Sequence, residues 1–412
     1  MCEKESMPLV VKFGGSSLAD SVKIAKAASA VSKTAKKGKV VVVVSAMGRT
    51  TDSLLETVNE ATESRIEARD LDDILATGER TSARIFASAL KAMGVDAMYL
   101  DPEEEDWPII TDASFGDASP ILPFCEELVK ERLGPLLERG KTVVVPGFIG
   151  KTMEGDITTL GRGGSDTTAF ILARGLMARE VVLVTDVDGI LTADPKVIGE
   201  PRLLEEVSIE VLSGLADSGT KFIHKKALKY KHPDIDVRVI NSAYGDLKAK
   251  GTLIKGSLGD NPTVENISEI PVTSVTLVGR ALSESPELLQ VILDELKKEG
   301  TEILGLTVNR DSVILYIQKE GIRELLERLH SIVIEEEKLT AMAVGKDLAL
   351  IKIKGLGLEE TPGVIRRVTE ALYGEGMNIY GLFTITSSIQ ILVEWNEKEA
   401  ALQLIKEAMS KK

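Results

Sequence analysis

What most limits how this chain can fold is an alternation. Between Pro8 and about Gly256, short continuous runs of Val, Ile and Leu are separated by longer stretches of helical periodicity. The apolar runs cover residues 9–13, 40–45, 142–145, 181–185 and 237–240, and the helical stretches cover 21–37, 51–69, 78–93, 166–177 and 209–215. Runs of four to six apolar residues with no polar alternation suit strands buried on both faces. Strands alternating with helices give an α/β domain with a largely parallel sheet, expected over residues 1–258. Ligands of such sheets bind beyond the carboxyl ends of the strands, so the Gly, Ser and Lys residues there are the first candidates for function.

The second half carries an internal repeat. An offset of 76 residues places Pro286 on Pro362, Gly300 on Gly376, Gly305-Leu306 on Gly381-Leu382 and Ser312 on Ser388. Apolar positions follow: Ile292 with Val368, Leu296 with Leu372, Val313 with Ile389, and Leu326 with Leu402. Each copy reads as strand, helix starting near the proline, two strands and a second helix. Two small α+β modules are expected at 272–338 and 339–412, with room for a strand to be exchanged between them. Residues 256–271, polar and punctuated by Gly and Pro, read as the linker.

Composition removes several classes of function. The 412 residues allow two to four domains whose cores need no covalent staple. Two cysteines, Cys2 and Cys125, exclude a disulfide scaffold or Cys-rich zinc site, and three histidines leave little for a metal cluster. Fifty Lys and Arg against 64 Asp and Glu give a formal charge of −14, which argues against nucleic acid as a partner. The opening MCEKESMPLVVKF has no secretory apolar region, and the run at 40–44 is too short to span a bilayer. A cytoplasmic protein without a membrane partner is expected.

Several segments could carry chemistry. Lys12-Phe13-Gly14-Gly15-Ser16-Ser17 ends a strand and precedes a helix. It reads as a cradle in which glycine amides, a helix N-terminus and Lys12 meet an anion, or as a plain turn capped by Ser17 or Asp20. Residues 158–168 run through three glycines and Arg162 into a helix, and a planar guanidinium suits a carboxylate or phosphate. Residues 147–152 (GFIGKT) are two residues short of a Walker A loop. Residues 185–196 lack the oxygen spacing and distal Glu of a calcium loop, leaving a nucleotide-edge loop or a turn. Glu79, after Gly78, reads as an acid in the first turn of a helix. Lys221 and His224 read as a loop lysine and a packed histidine.

Taken in order, KFGGSS at 12–17, SAMGRTTD at 45–52, GERTSA at 78–83, TTLGRGGSDTTA at 158–169, VTDVDGILTADPK at 184–196, SGTKFIH at 218–224 and GTLI at 251–254 resemble the aspartokinases of the amino-acid-kinase family. The repeated half resembles a pair of ACT (ferredoxin-like) regulatory modules, chiefly through ETPGVIRRV at 360–368, MNIYGL at 377–382 and SSIQI at 387–391. The resemblance implies an amino-acid-kinase-like α/β fold and transfer of the ATP γ-phosphoryl group to the side-chain carboxylate of L-aspartate, with Mg²⁺ held mainly by the ATP phosphates.

It also implies roles by position. Lys12, Gly14, Gly15 and Ser16 match the phosphate-binding strand end, and Asp166 matches the residue that organises the reacting groups. Ser45, Thr51, Glu79, Arg162 and Ser165 match substrate positions, Arg162 toward the α-carboxylate and Glu79 toward the ammonium. Thr185, Asp186, Lys196 and Lys221 match the nucleotide side. An amino-acid effector, Lys or Thr, is expected near Thr361, Pro362, Gly363, Val364, Asn378, Ile379, Ser387 and Ser388, with a homodimer or higher oligomer formed through the modules.

Four departures from the family pattern stand out: Ser16 for Thr, Leu191 for Tyr, Lys196 for Arg, and His224-Lys225-Lys226 for His-Pro-Arg. Two other readings stay open at this point: a kinase of glutamate or N-acetylglutamate, and a silent amino-acid sensor.

Overall fold

The computed structural model describes residues 6–195, 197–209, 211–212, 223–257, 262–355, 358, 362–385 and 388–410. Among the described residues no helix is long and apolar enough to cross a membrane. The chain divides into two compact units, Met1–Asp260 and Asn261–Lys412.

The first unit is built on an eight-stranded sheet. Its strands are β1 (Leu9–Phe13), β2 (Val40–Val44), β3 (Ala97–Tyr99), β4 (Thr142–Pro146), β7 (Glu180–Thr185), β8 (Glu206–Ser208), β9 (Asp236–Asn241) and β10 (Thr252–Lys255), in the order β3-β4-β2-β1-β7-β9-β10-β8. Strands β3 to β9 run parallel, whereas β10 is antiparallel to β9. Strands β5 (Ile149–Lys151) and β6 (Ile157–Thr159) form a separate hairpin. The helices that matter for the site are α1 (Ser21–Ala35), α2 (Thr50–Thr62), α3 (Ala68–Ala92) and, after three short helical segments at 122–138, α4 (Gly164–Gly175).

The pleat decides which way the site residues face. Leu9, Val11 and Phe13 pack into a core with Ile24, Ala28 and Val31 of α1 and Ala83, Phe86 and Leu90 of α3. Alternate side chains of a strand point to opposite faces. Val10 and Lys12 therefore point to the other face, where α4 packs across β1, β2 and β7. β2 is buried throughout, and β1 and β7 are buried except at Lys12 and at the ends of β7, as their Val and Leu runs require.

Two helix boundaries differ from the periodicity. The stretch expected over 51–69 stops at Thr62, because Glu63 and Ser64 turn left-handed with φ of 51° and 58°. The next helix starts at Ala68 and runs through Gly78, so Glu79 lies mid-helix and is no first-turn acid. Gly78 suggested a start because glycine weakens helices. Here it admits a neighbour: a Cβ at 78 would sit 3.0 Å from the Ala46 Cβ. The stretch expected at 209–215 lies mostly outside the described residues.

The second unit contains β11 (Thr263–Asn266), β12 (Val272–Gly279), α5 (Pro286–Lys298), β13 (Ile303–Val308), β14 (Ser312–Gln318), α6 (Arg323–Glu335) and β15 (Leu339–Val344). The repeat follows as β16 (Leu348–Lys354), α7 (Val364–Gly374), β17 (Gly381–Ile385), β18 (Ser388–Glu394) and α8 (Lys398–Ser410). One sheet runs β13-β14-β12-β16-β18-β17, with β15 on β12 and β11 on β16. Each module has its own core between sheet and helices, one around Ile292, Leu315 and Leu329, the other around Val368, Ile391 and Ile405.

Two boundaries read from the sequence shift. Leu339–Val344 pairs with β12 and lies with the first module, not at the start of the second. Thr263–Asn266, inside the expected linker, is a strand paired with β16 of the second module. The second copy ends on a helix, so its fourth strand comes from ahead of the first copy.

Candidate active site

A cavity of about 360 Å³ opens at the carboxyl ends of β1 and β2, lined by Lys12, Gly15, Ser45, Thr51, Glu79, Arg162, Ser165 and Asp166, with Gly48, Phe148 and the glycines around Arg162. Eight residues singled out in the sequence thus share one wall, although they are spread over more than 150 positions of the chain.

Lys12 reaches from β1 to α4, where its Nζ lies 2.7 Å from Asp166 Oδ1, both side chains mostly buried. The pair fixes the lysine head at the mouth of the sheet, and Asp166 occupies the first turn of α4, where a carboxylate is favoured. Neither Ser165 nor Asp166 caps that helix; Gly163, with φ +76°, is the N-cap and no side chain bonds there. Ser165 instead accepts the hydroxyl proton of Ser45 at 3.0 Å, linking the ends of β2 and α4.

The turn after β1 is tighter than an anion cradle alone requires. The Gly14 amide donates to Val184 O at 3.2 Å and the Gly48 amide donates to Gly15 O at 3.0 Å. A Cβ on Gly15 would lie 2.8 Å from Ala46 O, so glycine there lets two loops pass. Asp20 caps α1 by accepting the Lys23 amide at 2.9 Å. Gly14 and Ser16 belong to this turn but not to the cavity wall. Thr185 and Asp186 follow β7, the neighbour of β1, and the Thr185 hydroxyl donates to Asp186 Oδ1 at 3.1 Å. Lys196 and Lys221 lie outside the described residues.

Glu79 is 3% exposed. Its Oε1 accepts the Ala46 amide at 3.1 Å, while Oε2 is buried without a hydrogen-bond partner among the described residues. Desolvation pushes its pKa up from 4.5 to about 7, against the lowering effect of the Ala46 amide. A cationic ligand group would supply the missing partner. Arg162, by contrast, is exposed and has no ion pair among the described residues. The site thus presents a buried acid and an open guanidinium, complementary to the ammonium and carboxylate of an amino acid.

Three supports were not legible as functional residues. Asp72, fully buried on α3, accepts the Thr159 amide and hydroxyl at 2.7 Å each and the Gly116 amide at 2.9 Å. Phe148 holds φ at +68° in the cavity wall. Asp188 accepts from Asn241 Nδ2 and the Tyr244 hydroxyl, both at 2.9 Å. Asp72 stands among Asp70 and Asp73 in the sequence, and its donors come from distant segments.

The effector candidates divide. Pro362, Gly363 and Val364 precede or open α7, and Ser388 opens β18 beside Lys354 at the end of β16. Asn378 and Ile379 lead into the far end of β17, where Gly381 pairs with Leu392. Thr361 and Ser387 lie outside the described residues.

Residues 7–241 match the model of the amino acid kinase family. An aspartokinase of Mycolicibacterium smegmatis is 34% identical, the match covering 98% of this chain and 96% of that protein. Among solved structures, aspartate kinase from Synechocystis is similar with a TM-score of 0.77 at 25% identity, over 98% of this chain and 70% of that one. E. coli aspartokinase III, solved with aspartate and ADP, gives 0.54 at 26% identity over 97% and 99%. With the cavity at the ends of β1 and β2 and similarity running through both units, the chain belongs to the amino acid kinase family and, within it, to the aspartokinases.

Proposed function

We propose that this chain transfers the γ-phosphoryl group of ATP to the side-chain carboxylate of L-aspartate, giving 4-phospho-L-aspartate for Lys, Thr and Met biosynthesis. The observation that carries this is the single cavity in which Lys12 and Asp166 meet Glu79 and Arg162. A side-chain carboxylate with a reference pKa of about 3.9 is already the nucleophile at neutral pH, so the reaction needs no general base. Its obstacle is bringing an anion to a polyanion, which positive groups aimed at the transferring phosphoryl overcome.

In this reading Lys12 sits beside that phosphoryl group, oriented by Asp166. Arg162 takes the α-carboxylate, Glu79 takes the ammonium, and Ser45, Thr51 and Ser165 line the path of the side chain. Gly14, Gly15 and Ser16 flank the phosphates, and Thr185, Asp186, Lys196 and Lys221 belong to the nucleotide side. Among the described residues no three His, Cys, Asp or Glu side chains converge on one ion position. In this reading a Mg²⁺ is carried by the phosphates with Asp166 beside them; when bound, the ion neutralises phosphate charge. A cytoplasmic setting suits both substrates.

ADP release and hydroxylamine trapping, run with Mg-ATP and L-aspartate, glutamate, N-acetylglutamate or no acceptor, test the reading. Turnover confined to aspartate is expected, and turnover confined to another acceptor would overturn it. Arg162→Ala should weaken aspartate by about 2 kcal/mol, roughly thirtyfold in KM, with the KM of ATP little changed.

For the second unit we propose amino-acid feedback and a homodimer or higher oligomer through the ACT modules. E. coli aspartokinase III has been solved with lysine. Activity assayed with lysine, threonine and both should fall with at least one addition. Light scattering at micromolar concentration should give more than the monomer mass.

A further inference from the structure

Lys226 lines no part of the cavity, yet its ammonium is drawn onto the loop that carries Arg162. Its Nζ lies 2.5 Å from Asp117 Oδ1, 3.1 Å from Leu160 O, and 3.4 Å from the carbonyl oxygens of Asp117 and Ala118. Four acceptors around one head suit a cation with three rotatable donors. The buried Asp72 carboxylate does the converse, gathering donors from Thr159 and Gly116. One clamp gathers acceptors and the other gathers donors, and the chain leaves β6 as Leu160, Gly161 and Arg162.

The packing leaves that loop little freedom. A Cβ on Gly161 would overlap the Asp117 carboxylate, and one on Gly163 would overlap the His224 side chain. Lys226, at Leu160, and His224, at Gly163, therefore bear on the loop from either side of Arg162. The guanidinium, exposed and without an ion pair among the described residues, takes its place from the main chain beneath it. A displacement of about 1 Å in such a group is enough to cost up to a hundredfold in rate.

We propose that Lys226 is a positioning residue for the acceptor. It anchors the Arg162 loop to the segment 223–228, so that the guanidinium meets the substrate carboxylate in line with Lys12. This rests on the aspartate kinase reading above. The role falls on one of the positions that depart from the family pattern, with lysine where arginine is usual.

Steady-state kinetics with both substrates varied, on wild type, Lys226→Met, Lys226→Arg and Asp117→Asn, test it. Lys226→Met should raise the KM of aspartate roughly ten- to a hundredfold and leave that of ATP within about twofold. Lys226→Arg should recover to within about threefold, and Asp117→Asn should show a smaller rise of about threefold, again for aspartate alone. An unchanged aspartate KM in Lys226→Met overturns the proposal, as do equal rises for both substrates that arginine does not rescue. If Lys226→Met fails to fold, Asp117→Asn decides: a rise for aspartate alone supports the role and unchanged kinetics overturn it. Wild type without aspartate turnover would overturn the functional reading instead, which keeps the two failures apart.

Discussion

At the scale of single residues, Glu79 joins burial to substrate choice. Among the described residues its Oε2 has no partner, and its pKa is pushed up to about 7, so the carboxyl titrates around neutral pH. An ammonium needs the carboxylate. The kcat/KM for aspartate should therefore rise as pH climbs toward about 7 and level off above it, while that for ATP stays flat across the range. Stability moves the other way. A folded pKa above the unfolded 4.5 gives a contribution that is complete below that value and lost as pH rises through about 7. The loss is on the order of 3 kcal/mol. Glu79→Gln should therefore melt higher than wild type at pH 8, show no gain at pH 4.5, and bind aspartate poorly at both. Calorimetry at the two pH values checks the sign. An equal gain at both would mean that the charge is not the cause.

At the scale of elements, the site depends on close passage between segments. Gly15→Ala forces a methyl group to 2.8 Å from Ala46 O and should destabilise by about 1–3 kcal/mol, with activity lost beyond what unfolding explains. Urea titration beside activity separates the two effects. The exchanged strand β11 allows a second test. Val264 packs on the core of the second module, and Thr263–Asn266 covers the edge of β16. Glu265→Pro removes an amide donor from that pairing, so hydrogen exchange should speed up at Lys352 and Lys354 and stay unchanged in β1 and β2. The central strands were legible because residues buried on both faces must all be apolar. The edges β3 and β8 and their short neighbour β10 were not, since three or four residues carry too short a pattern. The helix through Gly78 was missed because glycine there answers a neighbour across space.

At the scale of the whole molecule, the repeat describes the second unit better than the module boundaries drawn from it. Under the offset of 76, β12, β13, β14 and both helices fall on β16, β17, β18 and their helices. The same offset carries β15 back onto the start of β11. Each module thus has four strands and two helices, with the second closed by a strand that precedes the first. Similarity between copies marks which segments are equivalent, but hydrogen bonding across the sheet decides which copy each segment joins. That is why 256–271 read as a linker.

The sequence by itself determined the parallel sheet, the two-copy second half and the residue types of the site, because burial on both faces and anion chemistry each restrict what can stand at a position. It also carried the motifs that tie the chain to its family. Only the tertiary structure decided that Lys12 faces Asp166 rather than the core shared with α1 and α3, that Glu79 is a buried acid with one bare oxygen, and that Lys226 and Asp72 grip the Arg162 loop from two sides. These depend on which side of a pleat a residue falls and on which distant segments meet it. Desolvation and hydrogen bonding act on neighbours in space, and the order of residues along the chain does not specify those neighbours until it has folded.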